Sequence, residues 1–315
     1  MSVDLAIFYS SLVTIVLIIL VGWFVSKKNW VDERTNKAII NLLLNVAWPC
    51  ALLGSFPSKY SEAHLTNFLW GAGGGLLVLA AVILISRLLF RKKHHPYNYF
   101  EYQFAFIFNN ASFLGFPLVS AIYGQDGLVP YSGFIIIFNL ALFGYGVALF
   151  RENFSVKELL KTFLNPNVIA VLLGFLMFLF SFNLPKFGND TVKYLGALMT
   201  PMSLICIGFM LSRANLKEIL RQKILVLTCL AQLILGPLIT FAILKLIGAP
   251  LLVIQIIVLI QALPTATSLG LFAEKYRSES KSDVSHASEL VAISTVLSAV
   301  TLPLMLWVMF SLLGL

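Results

Sequence analysis

Asn109 and Asn110, followed by Ala111-Ser112-Phe113-Leu114-Gly115-Phe116-Pro117, set adjacent amides, a glycine and a proline inside an apolar run from Tyr99 to Tyr123. As one helix, that run is long enough to cross a hydrocarbon core of about 30 Å. Pro117 removes a backbone donor and clashes with the carbonyl four residues back, which loosens the ladder around residues 113–116. Non-helical backbone at membrane depth persists only where protein buries it or where it lines a cavity. A second break, Gln261-Ala262-Leu263-Pro264-Thr265-Ala266-Thr267-Ser268, interrupts the span from Leu251 to about Tyr276. Two interrupted spans in corresponding halves of an apolar chain are the sequence pointer to a transporter site.

The chemistry such breaks offer is reversible capture of an anion. Helices resuming after Pro117 and Pro264 present unpaired N–H groups and the positive end of a dipole. Asn109, Asn110, Ser112, Gln261, Thr265, Thr267 and Ser268 add neutral donors, while no Lys or Arg lies near a span centre. The competing reading is interhelical hydrogen bonding, worth about 0.6 kcal/mol per pair on average in membranes. That reading suits an isolated Ser or Thr better than it suits Asn110 beside a proline break, and for Gln261 the two stand level. Trp48 and Cys50 flank Pro49, and Thr200 and Ser203 flank Pro201. These four line the same cavity or pack in the interior.

The elements that must position these residues follow from composition. Of 315 residues 59% are hydrophobic and 11% charged, and the mean hydropathy is +0.91; soluble domains carry about 25% charge. The chain is therefore a polytopic all-α membrane protein. Its net charge of +8 lies in short segments between apolar runs, the pattern of membrane topology rather than of nucleic-acid binding. Ten spans are expected, at about 5–25, 38–56, 65–90, 99–123, 131–150, 166–183, 191–212, 224–247, 251–276 and 287–312. The first reads as a retained span because no basic residue precedes it and Lys27 and Lys28 follow it. Odd-numbered connections carry eighteen of the 22 Lys and Arg residues, among them Arg91, Lys92, Lys93, Lys161, Arg221 and Arg277. This places those connections in the cytoplasm and both termini outside it, in a plasma-membrane protein.

Five spans per half require a duplicated half to enter the membrane inverted. Pro49 and Pro117 then correspond to Pro201 and Pro264, separated by 68 and 63 residues. The expected organisation is a first repeat over 1–150, a cytoplasmic connection over 151–165 and a second repeat over 166–315. Cys50, Cys206 and Cys229 fall within apolar spans, and His64, His94, His95 and His286 stand in loops or at helix ends without ligand spacing. Neither a cofactor nor a metal is expected. Gly71 and Gly73 to Gly75 read as close helix contact, since no strand or lysine makes them a phosphate loop.

Asn110-Ala-Ser-Phe-Leu-Gly-Phe-Pro-Leu118 with Tyr123-Gly124, together with Ala262-Leu-Pro-Thr265, Phe272-Ala-Glu-Lys-Tyr276, Ser294, Thr295 and Pro303, resembles the auxin efflux carrier family. That family includes plant auxin carriers and bacterial permeases for malonate and malate. The likeness covers nearly the whole chain, and the short 150–166 connection matches the bacterial type rather than the plant carriers, which have a long central hydrophilic loop. It implies that spans four and nine cross at Pro117 and Pro264 beside the substrate, and that Asn110 contacts it. Spans one, two, six and seven would form a scaffold, often dimeric in relatives, with the others moving against it. The substrate would be a small organic acid: a dicarboxylate such as malate or malonate, or an auxin-like monocarboxylate.

Ion coupling stays open at this stage. Glu101, Glu274 and Glu289 lie near span ends, Lys245 snorkels, and no Asp or Glu sits at a span centre. A proton, a sodium ion or the membrane potential alone are all compatible with the sequence. An intramembrane enzyme is excluded by the lack of paired Asp residues, of a His-Glu-x-x-His motif and of a Ser with a base in the spans. A sodium-coupled bile-acid-type organic anion symporter, and a channel or sensor of the same fold, are the alternatives to an auxin-type carrier.

Overall fold

Glu101, Asn109, Gln232, Gln261 and Thr265 are buried, whereas Val13, Leu17, Leu20, Leu84, Val300 and Trp307 are more than half exposed. In water this inversion would leave large apolar patches uncovered, whereas in lipid the exposed side chains are already in their preferred solvent. The computed structural model describes residues 5–57, 59–91, 93, 98–151, 164–213, 222–276 and 284–313. Among these the chain is helical, without a β-strand. Residues 152–163, most of the expected connection between repeats, lie outside the described residues, as do Lys92, His94, His95, Lys161, Arg221 and Arg277.

Among the described residues six helical runs are long and apolar enough to cross a bilayer: Glu33–Leu53, Glu62–Leu89, Ala111–Gly146, Lys186–Arg213, Lys223–Leu246 and His286–Leu313. Val13–Lys27, Pro166–Leu179 and Leu251–Gln261 are shorter apolar helices. The difference from ten continuous spans has local causes. Ala111–Gly146 joins the second part of the expected fourth span to the fifth through Gly124, whose φ of +59° only glycine adopts without strain. The expected spans 99–123 and 251–276 are each interrupted, the first at Phe108–Asn110, ahead of Pro117, and the second around Pro264, leaving initial helices of 9 and 11 residues. At 1.5 Å per residue neither crosses the core alone.

The chain divides into two compact units, each assembled from three stretches. The first comprises Met1–Ala72, Ser112–Ile136 and Phe163–Ala214. Within it α1 (Leu5–Lys27) packs along α9 (Met199–Arg213). The approach is set by glycine, since a Cβ on Gly208 would stand 2.0 Å from the Ile19 carbonyl oxygen and one on Gly22 2.3 Å from that of Ile205. Nearby the Ser212 hydroxyl donates to Ser26. Asp32 caps α2 (Glu33–Leu42) through the Thr35 amide at 2.7 Å. The chain then widens into a π-turn at Leu43–Ala47 before α3 (Trp48–Leu53), which carries Pro49 and packs on α7 (Pro166–Leu179) and α8 (Lys186–Ala197). Close helix contact at Gly71 is observed: a Cβ there would be 2.2 Å from the Pro130 carbonyl oxygen.

The second unit comprises Gly73–Ala111, Ile137–Thr162 and Asn215–Leu315. It holds most of α4 (Glu62–Leu89), α5 (Tyr99–Ile107), α10 (Lys223–Leu246), α11 (Leu251–Gln261), α12 (Ser268–Lys275) and α13 (Val284–Leu313). α10 packs on α5, α11 and α13, and α12 packs on α5 and α13. An aromatic cluster of Phe104, Phe108, Phe138, Phe150 and Phe272 closes around the end of α5, with Phe104 and Phe108 ring centres 4.8 Å apart.

Candidate functional site

In the second unit, α5 ends at Ile107, and Phe108 turns extended, with φ −104° and ψ 109°. α11 ends at Gln261, and its chain also leaves the helix, so that two extended pieces run antiparallel with Asn109 opposite Thr265. The Asn110 N–H donates to the Pro264 carbonyl at 2.7 Å and the Ala266 N–H to that of Phe108 at 2.8 Å. Proline suits this place because it has no N–H to leave unpaired. Each break thus supplies the backbone partners that the other lost on leaving its helix, as burial in an apolar medium demands.

Side chains complete the lattice. Ser294 of α13 accepts from the Thr265 amide at 3.0 Å, and the Thr265 hydroxyl donates to the Gln232 carbonyl oxygen at 3.1 Å. The other end of the Gln232 amide donates to the Leu263 carbonyl at 2.8 Å. Gln232 is a structural clamp that sequence reasoning passed over; its signal was a lone amide within the apolar run of α10. The Asn109 amide nitrogen donates to the Gln261 side-chain oxygen. Among the described residues the Asn109 side-chain oxygen and the Gln261 amide nitrogen are buried without a hydrogen-bond partner. An unpaired buried group of this kind costs about 1–3 kcal/mol, so an acceptor and a donor stand side by side with capacity for a polar guest.

The structure brings Asn109, Asn110, Gln261, Pro264 and Thr265 together in one unit. The amides at Thr265 and Ala266, expected to be open, are engaged by Ser294 and Phe108. Those of Thr267 and Ser268 are not used in this lattice and stand at the first turn of α12, where both residues are half-buried. Ser112, Gly115 and Pro117 belong to the π-turn Ala111–Gly115 and the start of α6 (Phe116–Ala141), and Ser112 onward lies in the first unit. There Pro117 denies the Phe113 carbonyl its helical donor, and the Ser203 hydroxyl supplies one at 2.9 Å. Ser203, expected to line the cavity or pack in the interior, has this bond and is fully buried, as is Trp48 apart from 2% exposure; Cys50 and Thr200 are half-buried.

A second polar cluster, away from the breaks, sits at the start of α5 and α13. Glu101 is fully buried, its Oε2 2.5 Å from the His286 Nδ1, and the Tyr102 hydroxyl is 3.2 Å from the His286 Nε2. His286 does stand at a helix end, but it is buried against a carboxylate rather than solvated. The two are 185 positions apart in the chain, so only the fold reveals them as a pair.

A family model described as membrane transport protein matches residues 7–306. An uncharacterized transporter of Methanocaldococcus jannaschii is 20% identical over 308 residues, covering 94% of this chain and 97% of that protein. The family's members are transporters rather than enzymes. With a family match over nearly its whole length, the chain belongs to this membrane transport family, that of the auxin efflux carriers.

Proposed function

We propose that the protein is a secondary carrier that moves a small organic anion by alternating access, binding it at the paired breaks. The observation that carries this reading is the buried, unsatisfied pair of the Asn109 oxygen and the Gln261 nitrogen, on two amides that bond to one another. A donor and an acceptor together suit a carboxyl group that carries its own proton, or a hydroxy acid such as malate. The absence of lysine and arginine from these breaks keeps binding weak enough for release. A malate- or malonate-like dicarboxylate is the leading substrate class, with an auxin-like monocarboxylate beside it.

The same proposal includes ten spans in two inverted repeats, 1–150 and 166–315, with the broken spans four and nine crossing. Its support is that the first unit draws on Met1–Ala72 and Phe163–Ala214, the regions of spans one, two, six and seven. Each unit takes chain from both sequence halves, as interleaved repeats would. The proposal places the protein in the plasma membrane with the odd-numbered connections cytoplasmic and the scaffold as the site of homodimer contact.

Uptake of labelled malate, malonate and indole-acetate into proteoliposomes tests it, with proton, sodium and potential gradients imposed in turn. Saturable uptake that Asn110→Ala lowers about ten- to a hundredfold, the value of one hydrogen bond to a charged group, is the expected result. Full activity in that variant overturns the site. Sodium-dependent movement of bulky sterol acids would favour the bile-acid-type alternative, and flux without saturation or counterflow would favour a channel.

A further inference from the structure

Glu101 and His286 occupy the third positions of α5 and α13 and face one another with no part in the lattice of the breaks. A carboxyl group buried against an imidazole in a membrane protein is costly to keep unless it has a function. We propose that Glu101, His286 and Tyr102 form a proton-binding site that couples proton movement to transport, an inference that rests on the carrier reading above.

The geometry satisfies two protonation states that differ by one proton. In the first, the neutral imidazole donates from Nδ1 to the Glu101 carboxylate, and its Nε2 lone pair accepts the Tyr102 hydroxyl proton; the cluster carries one negative charge. In the second, a proton has added to Nε2. The imidazolium now donates from both nitrogens, to the carboxylate and to the Tyr102 oxygen, and the cluster is neutral. Tyr102 only has to rotate its hydroxyl, because a phenol can donate or accept. Imidazole is the side chain whose ordinary titration falls between pH 5 and 8.

The surrounding groups do not duplicate this chemistry. On α10 the Cys229 thiol lies near Tyr102 and donates to the Leu290 carbonyl, and Asn98 lies at the Tyr102 hydroxyl. On α13 Glu289 accepts from the Gln222 side chain, while Lys223 of α10 and Glu274 and Lys275 of α12 are exposed. On α4 Arg87 donates to the Tyr145 hydroxyl, which reaches Gln103 on α5.

The coupling path is the same pair of helices that closes the breaks. Ser294, which holds the Thr265 amide, is eight residues along α13 from His286, and Asn109 is eight residues along the chain from Glu101. On α13 this is about 12 Å. All of these residues belong to one unit, so the charge state at one end acts on the joint between α5 and α13 that fixes Asn109 against Thr265 at the other.

The test uses the purified full chain labelled with 15N-histidine, His286 being assigned by its loss in His286→Gln. The expected result is that the His286 15N signals respond to pH in the native protein and respond differently in Glu101→Gln, which lacks the carboxylate that accepts from Nδ1. In proteoliposomes, a pH gradient should accelerate labelled malate uptake by the native protein but not by Glu101→Gln, which should retain malate counterflow and so prove folded. An identical response of His286 to pH in both proteins, no response at all, or gradient-driven uptake by Glu101→Gln overturns the proposal. If the native protein moves no malate, malonate or indole-acetate, the anion reading fails, and the proton site is decided by the titration alone.

Discussion

Ser203→Ala should destabilise the protein by about 1 kcal/mol, and Pro117→Ala should erase that cost. The Ser203 hydroxyl donates to the Phe113 carbonyl at 2.9 Å and to the Thr200 carbonyl at 3.2 Å. Thr200 precedes it by one turn in its own helix; Phe113 has lost its helical donor to Pro117, four residues on. Removing the hydroxyl therefore takes one donor from a buried carbonyl, and a hydrogen bond is worth about 0.5–1.5 kcal/mol net in proteins generally. Membrane pairs average about 0.6 kcal/mol with a maximum near 1.7, and together these ranges place the loss at about 1 kcal/mol. Restoring an N–H with Pro117→Ala gives Phe113 a donor within its own helix, and the hydroxyl becomes redundant. Reversible unfolding of the four proteins in detergent, followed by circular dichroism, yields the coupling energy of the cycle. A coupling below about 0.3 kcal/mol, the scatter expected of independent sites, would refute the claim that Ser203 compensates the proline.

Two further outcomes follow from single bonds. Thr265→Val keeps the shape of the break but removes the hydroxyl that reaches Gln232; the orphaned amide oxygen should cost about 1–2 kcal/mol, read in the same unfolding assay, and Thr265→Ser should restore most of it. The Asp32 carboxyl is held below its ordinary value by hydrogen bonds from the Thr35 side chain and backbone. Its contribution is present above the unfolded value of about 4 and lost as pH falls through the folded one. The Thr35 amide should accordingly exchange faster in acid in the native protein than in Asp32→Asn, which caps without titrating; equal exchange at every pH would remove the cap from the account.

Proline marks both interrupted spans in the sequence because its missing donor acts locally and needs no knowledge of partners, although only Pro264 stands in the extended piece itself; α5 ends at Ile107, ten residues before Pro117. The same locality explains what was not legible. Nothing near Asn109 announces that Thr265 will stand opposite it, and Gln232 reads as one more amide in an apolar helix until Leu263 and Thr265 are seen at its two ends. Glu101 reads from the sequence as one of several acids near span ends, and His286 as a helix-end residue without ligand spacing. Position along a span measures depth, however, and says nothing of burial by other helices, which is what makes this pair buried. The amides of Thr265 and Ala266 were expected to be open for the same reason: their acceptors, Ser294 and Phe108, are distant in sequence.

The two prolines solve one physical problem in two ways, and the difference bears on function. At Pro117 the widened π-turn retains helical direction, and a single serine repairs the carbonyl left over. At Pro264 the helix is abandoned for several residues, and repair comes from a second broken chain, backbone to backbone. A serine repair leaves the polar capacity of its surroundings closed. A backbone repair satisfies the main chain and leaves side chains over, which is why the unpaired Asn109 oxygen and Gln261 nitrogen occur where the two extended pieces pair and not at the π-turn before Pro117. A carrier needs polar capacity at membrane depth that is unfilled when empty and unable to collapse. Two extended pieces clamped through Gln232 and Ser294 supply a frame stiff enough to keep that donor and acceptor from finding partners of their own.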